Sequence, residues 1–187
     1  MFIERIPMNK YHCISADLYH ATFEITEKLI SRGCKKIAFI NGPRNLSSAK
    51  ERRKAFLQTC SLYAANGVKP LVFDSDLTVE SVHTTMKKIL TLHEDISAII
   101  LYTDELCMEA MRFLRNYSPD TKKEILFAGY DNIPFLKYLD HPPFASVDML
   151  PFQQGEKAAE LLIELMNKRD NQAPVQNLKV AAQIVYY

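Results

Sequence analysis

The chain has 187 residues, 48% of them apolar and 24% charged, which excludes disorder as the default reading and leaves room for one good-sized core or two small subdomains. Lys and Arg total 23 against 22 acids, a net charge of +1, so the basic footprint of a self-sufficient nucleic-acid binder is excluded as well. Cys13, Cys34, Cys60 and Cys107 form no Cys-x-x-Cys pair, and no uncharged apolar run approaches the roughly 18 residues of a membrane span, so we expect a cytoplasmic protein with no membrane partner.

Asp17 reads as the N-cap of a first helix over about 18–32. In it Leu18, Thr22, Ile25, Leu29 and Ile30 recur at helical spacing until Gly33 supplies a left-handed stop. Ile37-Ala-Phe-Ile40, closed by Asn41-Gly42-Pro43, suits a strand covered on both faces. Ser48-Ala-Lys-Glu51 reads as a capping box ahead of a stripe of Phe56, Leu57, Cys60 and Ala64, which runs up to Asn66-Gly67. Leu71-Val-Phe73 ends at Asp74-Ser-Asp76, and Thr78 caps a helix carrying Val79, Val82, Met86, Ile89 and Leu90. Ala98 to Leu101 ends at Tyr102-Thr-Asp104, and a helix from Glu105 to Arg115 follows. The apolar run Ile125 to Ala128 stops at Gly129, where an acid and an amide, Asp131 and Asn132, come at once. Pro134 starts a short helical segment through Leu139, broken by His141-Pro-Pro143 before a strand at Phe144 to Val147. Pro151 opens the last long helix, whose stripe of Phe152, Gly155, Ala158, Ala159, Leu162, Leu165 and Met166 is expected to be buried. Asn171 to Pro174 separates it from a weaker strand pair around Leu178 and Ile184-Val185. Such alternation implies right-handed crossovers and an α/β fold: a Rossmann-like parallel sheet with helices on both faces.

In an open parallel sheet, ligands bind outside the carboxyl ends of the strands. Asn41–Arg44, Asp74–Asp76, Tyr102–Asp104 and Gly129–Asn132 are therefore expected along one rim. Arg52, one turn inside the capped helix, offers a guanidinium to those acids and Ser48 a hydroxyl, a set suited to a hydroxyl-rich small molecule. Plainer readings stand beside these. Asp131 could cap its own turn, Arg52 could pair with Glu51 or Asp76 on a solvated face, and Asp74 and Asp104 could be N-caps. The histidines lack the short paired spacing of zinc sites, and His12-Cys13 would point to opposite faces of a strand. No metal, cofactor or catalytic residue is expected.

The ordered set Leu29-Ile-Ser-Arg-Gly33, Ile37-Ala-Phe-Ile-Asn-Gly42-Pro, Glu51-Arg52, Ala98-Ile, Thr103-Asp104-Glu105 and Gly129-Tyr-Asp131-Asn-Ile-Pro resembles the effector-binding domain of LacI-family bacterial transcription regulators. Tyr138-Leu-Asp140, Pro143, Ser146-Val147 and Gly155-Glu-Lys-Ala-Ala-Glu-Leu-Leu162 carry the resemblance through nearly the whole chain. It implies a periplasmic-binding-protein-like type I fold, with a small-molecule effector, a carbohydrate by preference, held between two lobes, and a homodimer. DNA would be contacted through a helix-turn-helix absent from this sequence. By the same resemblance Arg52 matches the ligand-contacting arginine of the second lobe and Asp131 its hydroxyl-binding acid. Asn132 joins them, Glu4 and Arg5 match a strand-end pair of the first lobe, Asp17 opens the crossing helix, and Ser48, Asp76 and Asp104 fall where the cleft is lined.

Leu46 and Leu77 depart from the pattern where polar or aromatic contacts are common, and Met149-Leu150 replaces a usual Gln-Pro. The chain also starts where the first lobe of the pattern is more than half complete. We expect residues 1–16 to be a remnant of that lobe, 17–145 a complete second lobe, and 146–187 the return to the first, with the two ends pairing with each other or with another copy. A transport-type solute-binding protein shares the implied fold. A magnesium enzyme using Asp74, Asp104 and Asp131 is the remaining alternative, disfavoured because no phosphate loop or nucleophile elbow accompanies them.

Overall fold

Short apolar strands alternate with longer helices, and the chain sorts them into two sheets. The computed structural model describes residues 1–3, 11–117, 124–167 and 174–187. The smaller sheet joins β1 (Phe2–Ile3), β2 (Cys13–Ala16) and β8 (Asn177–Val180) in the order β1-β2-β8, all parallel. The larger holds β3 (Lys36–Asn41), β4 (Lys69–Asp74), β5 (Ala98–Leu101), β6 (Leu126–Tyr130), β7 (Ala145–Asp148) and β9 (Gln183–Tyr186). Their order is β4-β3-β5-β6-β7-β9, parallel except for the β7–β9 pair.

Period-two alternation assigns the central strands to two cores. Ile37, Phe39, Ala98 and Ile100 face α1 (Leu18–Ser31) and α2 (Ser47–Leu62), packing against Ile25, Leu29, Phe56 and Cys60. Ala38, Ile40, Ile99 and Leu101 face α3 (Val79–Leu92) and α4 (Asp104–Tyr117), packing against Val82, Met86, Ile89 and Cys107. Both faces are covered, as the unbroken apolar runs require. Asp17 and Thr78 cap α1 and α3 as expected, accepting from the amides of His20 and Ser81.

Several local readings change. The capping box does not form: α2 begins at Ser47 behind Leu46, which offers no side-chain cap, and Glu51 instead pairs with Lys179 at 2.7 Å. The helix after β5 starts at Asp104, one residue earlier than read. The expected pair near Leu178 and Ile184 is split, because β8 joins β2 while β9 closes the edge of the large sheet against β7. The large sheet thus takes in strands beyond residue 145. Leu150 has φ 52°, out of reach of a proline ring, so the approach to α5 (Pro151–Asn167) differs from the Gln-Pro pattern. The buried face of α5 is Gln154, Ala158 and Leu161, with Ile14, Val180, Leu150 and Leu165 completing a small core. Phe152, Leu162 and Met166, expected inside, are 78%, 46% and 75% exposed, because the small sheet has three strands and covers one side of the helix. Among the described residues no helix is long and apolar enough to cross a membrane.

Candidate functional site

The strand order creates a switch point. From β3 the chain steps to β4 on one side, and β5 then pairs on the other side of β3. The connections leaving β3 and β5 diverge there and open a crevice at the carboxyl edge. Asn41, Asp74, Tyr102, Asp131 and Asp148 stand at or next to the carboxyl ends of β3, β4, β5, β6 and β7.

Arg52 reaches into this crevice from α2. It is 3% exposed, with its guanidinium 3.7 Å from the ring centroid of Tyr130 and 4.4 Å from that of Tyr102. Nη1 donates to the Tyr102 carbonyl at 2.7 Å and Nη2 to Met149 Sδ at 3.5 Å, while Nε is buried without a partner among the described residues. A guanidinium held between two π faces away from water is stabilised by about 2 kcal/mol. Its pairing with Glu51 or Asp76 is thereby replaced. Ser48, one turn before, shares a hydrogen bond of 2.6 Å with the Tyr102 hydroxyl. Gly42 makes room for that ring, since a Cβ there would sit 2.8 Å from Tyr102 Cε2.

Asp131 and Asn132 follow β6 with φ values of 104° and 49°, a left-handed bend at the carboxyl end of the strand. Burial raises the Asp131 carboxyl above its usual range, and the Arg52 charge pulls it partly back. The two residues therefore share one electrostatic environment. Asn132 donates from Nδ2 to Asp148 Oδ2 at 3.0 Å and accepts at Oδ1 from the Tyr187 hydroxyl at 2.5 Å.

Asp104, expected on the cleft wall, is fully buried. Its Oδ2 accepts from Ser146 Oγ at 2.8 Å and from the Ile133 amide at 3.1 Å, and Oδ1 is buried with no partner among the described residues. Burial pushes its pKa up to about 6, against the lowering effect of those hydrogen bonds. It braces the β6 bend from beneath. Asp76 also departs from the expectation: it is exposed and accepts from the Thr78 amide and hydroxyl, which hold its carboxyl below the usual range. Glu4 and Arg5 lie outside the described residues. Among the described residues no group of three or more His, Cys, Asp or Glu side chains could hold a metal ion.

Sequence reasoning placed Ser48, Arg52, Asp131 and Asn132 on this rim but did not single out Tyr130, and it marked Met149 as a departure from the pattern without giving it a contact. Tyr130 is fully buried, with its hydroxyl 2.7 Å from Thr22 Oγ1 on α1. Its signal was an aromatic at the last position of an otherwise small-residue strand end.

Residues 26–186 match the family model described as a periplasmic binding protein-like domain. The chain is 24% identical over 159 residues to the HTH-type transcriptional regulator CelR of Thermobifida fusca, an alignment that covers 85% of the chain and 46% of that protein. The chain thus spans about half the length of this curated relative. In fold it is similar to a transcriptional regulator CelR–cellobiose complex, with a TM-score of 0.82 at 22% identity over 98% of this chain and 56% of the other. It is also similar to a periplasmic solute-binding protein of an ABC transporter from Actinobacillus succinogenes with bound D-allose, with a TM-score of 0.79 at 20% identity, covering 95% and 61% of the two chains.

Proposed function

The chain belongs to the family of periplasmic binding protein-like domains, and from that premise we propose that it is the effector-sensing module of a LacI-type bacterial transcription regulator. The observation that carries this reading is the Arg52 guanidinium, buried between Tyr102 and Tyr130 at the switch-point crevice with Asp131 in its field. A desolvated cation, a carboxylate and the hydroxyls of Ser48 and Tyr102 provide both donors and acceptors, which a carbohydrate effector needs when its own hydroxyls leave water. Asp131 accepts from effector hydroxyls, Arg52 donates, and Ser48 and Asn132 complete this wall. Asp104 acts as a positioning residue.

The module works without catalysis. An effector that contacts both lobes prefers one lobe arrangement and shifts the population toward it. Coupling to DNA follows through a homodimer and a helix-turn-helix head in the cytoplasm. The transport-type solute-binding reading shares the fold, and the sequence relationship to a transcription regulator favours the sensor.

Titration calorimetry of the chain with a sugar panel tests the two-walled mechanism. The chain alone is expected to bind weakly or not at all, and the same residues joined to a complete first lobe to bind tightly. Tight binding to the chain alone would overturn the mechanism.

A further inference from the structure

Among the described residues, three passages of the chain join the two sheets: Asp17 between β2 and α1, Met149 and Leu150 between β7 and α5, and Ala181 and Ala182 between β8 and β9. Only the second holds a residue at positive φ, Leu150 at 52°. A leucine there is strained, and it persists only where its surroundings hold it.

Two residues of the crevice wall supply that hold. Asn132 donates from Nδ2 to Asp148 Oδ2 at 3.0 Å, and the other oxygen of the same carboxylate accepts from the Leu150 amide at 2.8 Å. Arg52 Nη2 donates to Met149 Sδ at 3.5 Å, and the Met149 carbonyl accepts from Gln154 Nε2 at 2.8 Å. Gln154 is 2% exposed and lies on the buried face of α5 with Ala158 and Leu161, which pack with Ile14 and Val180 of the small sheet. The contacts of Asn132 thus reach the strained residue itself, and those of Arg52 continue into the helix packed on the small sheet. The two ties differ in strength. A carboxylate binds an N–H firmly, whereas a thioether is a weak acceptor, so an oxygen presented to Arg52 Nη2 wins over Met149.

We propose that Asp148 and Met149 are positioning residues that couple the crevice wall to the seat of α5. An oxygen that takes Arg52 Nη2 from Met149 loosens the Leu150 turn, and α5 with the small sheet shifts against the large one. The trigger rests on the effector reading of the crevice, whereas the tie is a property of the chain alone.

Amide hydrogen exchange on the whole chain tests the tie with no effector present, so its outcome is independent of the sugar titration. Arg52→Met is expected to speed exchange at Ala158 and Leu161 of α5 about tenfold and to leave Val82 and Met86 of α3 unchanged. Met149→Leu keeps the volume and removes the acceptor. It is expected to have the same effect by itself and to leave Arg52→Met with nothing to add, and it decides the matter even where loss of the cation unfolds the chain. Unchanged exchange at α5 in Met149→Leu, equal acceleration at α3 and α5 in that variant, or additive effects in the double variant would each overturn the proposal.

Discussion

The guanidinium of Arg52 lies 3.7 Å from the centre of the Tyr130 ring, and the residue that follows that tyrosine is the acid whose ionisation Arg52 favours. One strand end thus supplies both the π face that holds the cation in place and the carboxylate that answers its charge.

Removing the cation while keeping the bulk, as in Arg52→Met, is expected to raise the Asp131 pKa further. Burial already raises it and Arg52 is the opposing influence. For an acid with a raised folded pKa, stability is fully present below the unfolded value and is lost as pH rises through the folded one. The variant should extend that loss to higher pH. Carbon-13 NMR of the Asp131 carboxyl reads the midpoint, and a midpoint that stays put or falls contradicts the pairing.

Asp131→Gly separates strain from binding. A side chain at φ 104° is strained, and glycine adopts that angle freely, so chemical denaturation should show a gain of about 1 kcal/mol. In a two-lobed protein the same change should abolish effector binding. A loss of stability would show that the Asp131 side chain stabilises the bend by more than its backbone strain.

Gly129→Ala is expected to be severe. The added Cβ would collide with the buried Asp104 carboxylate and lie 3.1 Å from Asp104 Cα, so the start of α4 or the end of β6 must shift. Overpacking of this kind costs about 1–3 kcal/mol, and here it also displaces the brace beneath Asp131. Thermal unfolding measures the loss, and a wild-type midpoint would sink the account.

Asp104 titrates at about 6 in the fold against 3.8 for the free group. Stability contributed by its protonated form is complete below about pH 4 and falls as pH rises through 6, by about 3 kcal/mol in all. Asp104→Asn, neutral throughout, should flatten the slope of unfolding free energy between pH 4 and 6. An unchanged slope would assign it to other groups.

Much of the fold was legible because each element carried its own local signal. The runs Ile37–Ile40 and Ala98–Leu101 are apolar without a break and became the fully buried centre of the sheet. Asp17 and Thr78 capped the helices they precede. Ser48 misled because a capping box is a pattern of residue types, and a tyrosine hydroxyl 54 residues away competed for the same oxygen. The stripe of α5 misled for a related reason. Periodicity reports which side chains are apolar, whereas burial needs an opposing layer, and the three-stranded sheet supplies one for Ala158 and Leu161 but not for Phe152 or Met166.

By itself the sequence determined the alternation of strands and helices and the presence of acids and amides where strands end, because hydrophobic period and turn chemistry are properties of neighbouring residues. Only the tertiary structure decided that β3 and β5 would be adjacent, that Arg52 would be buried between Tyr102 and Tyr130, and that Asp104 would lie beneath the bend rather than on the wall. Those outcomes depend on pairings between segments far apart in the chain, whose relative positions are fixed by the packing of the whole sheet and by no local preference.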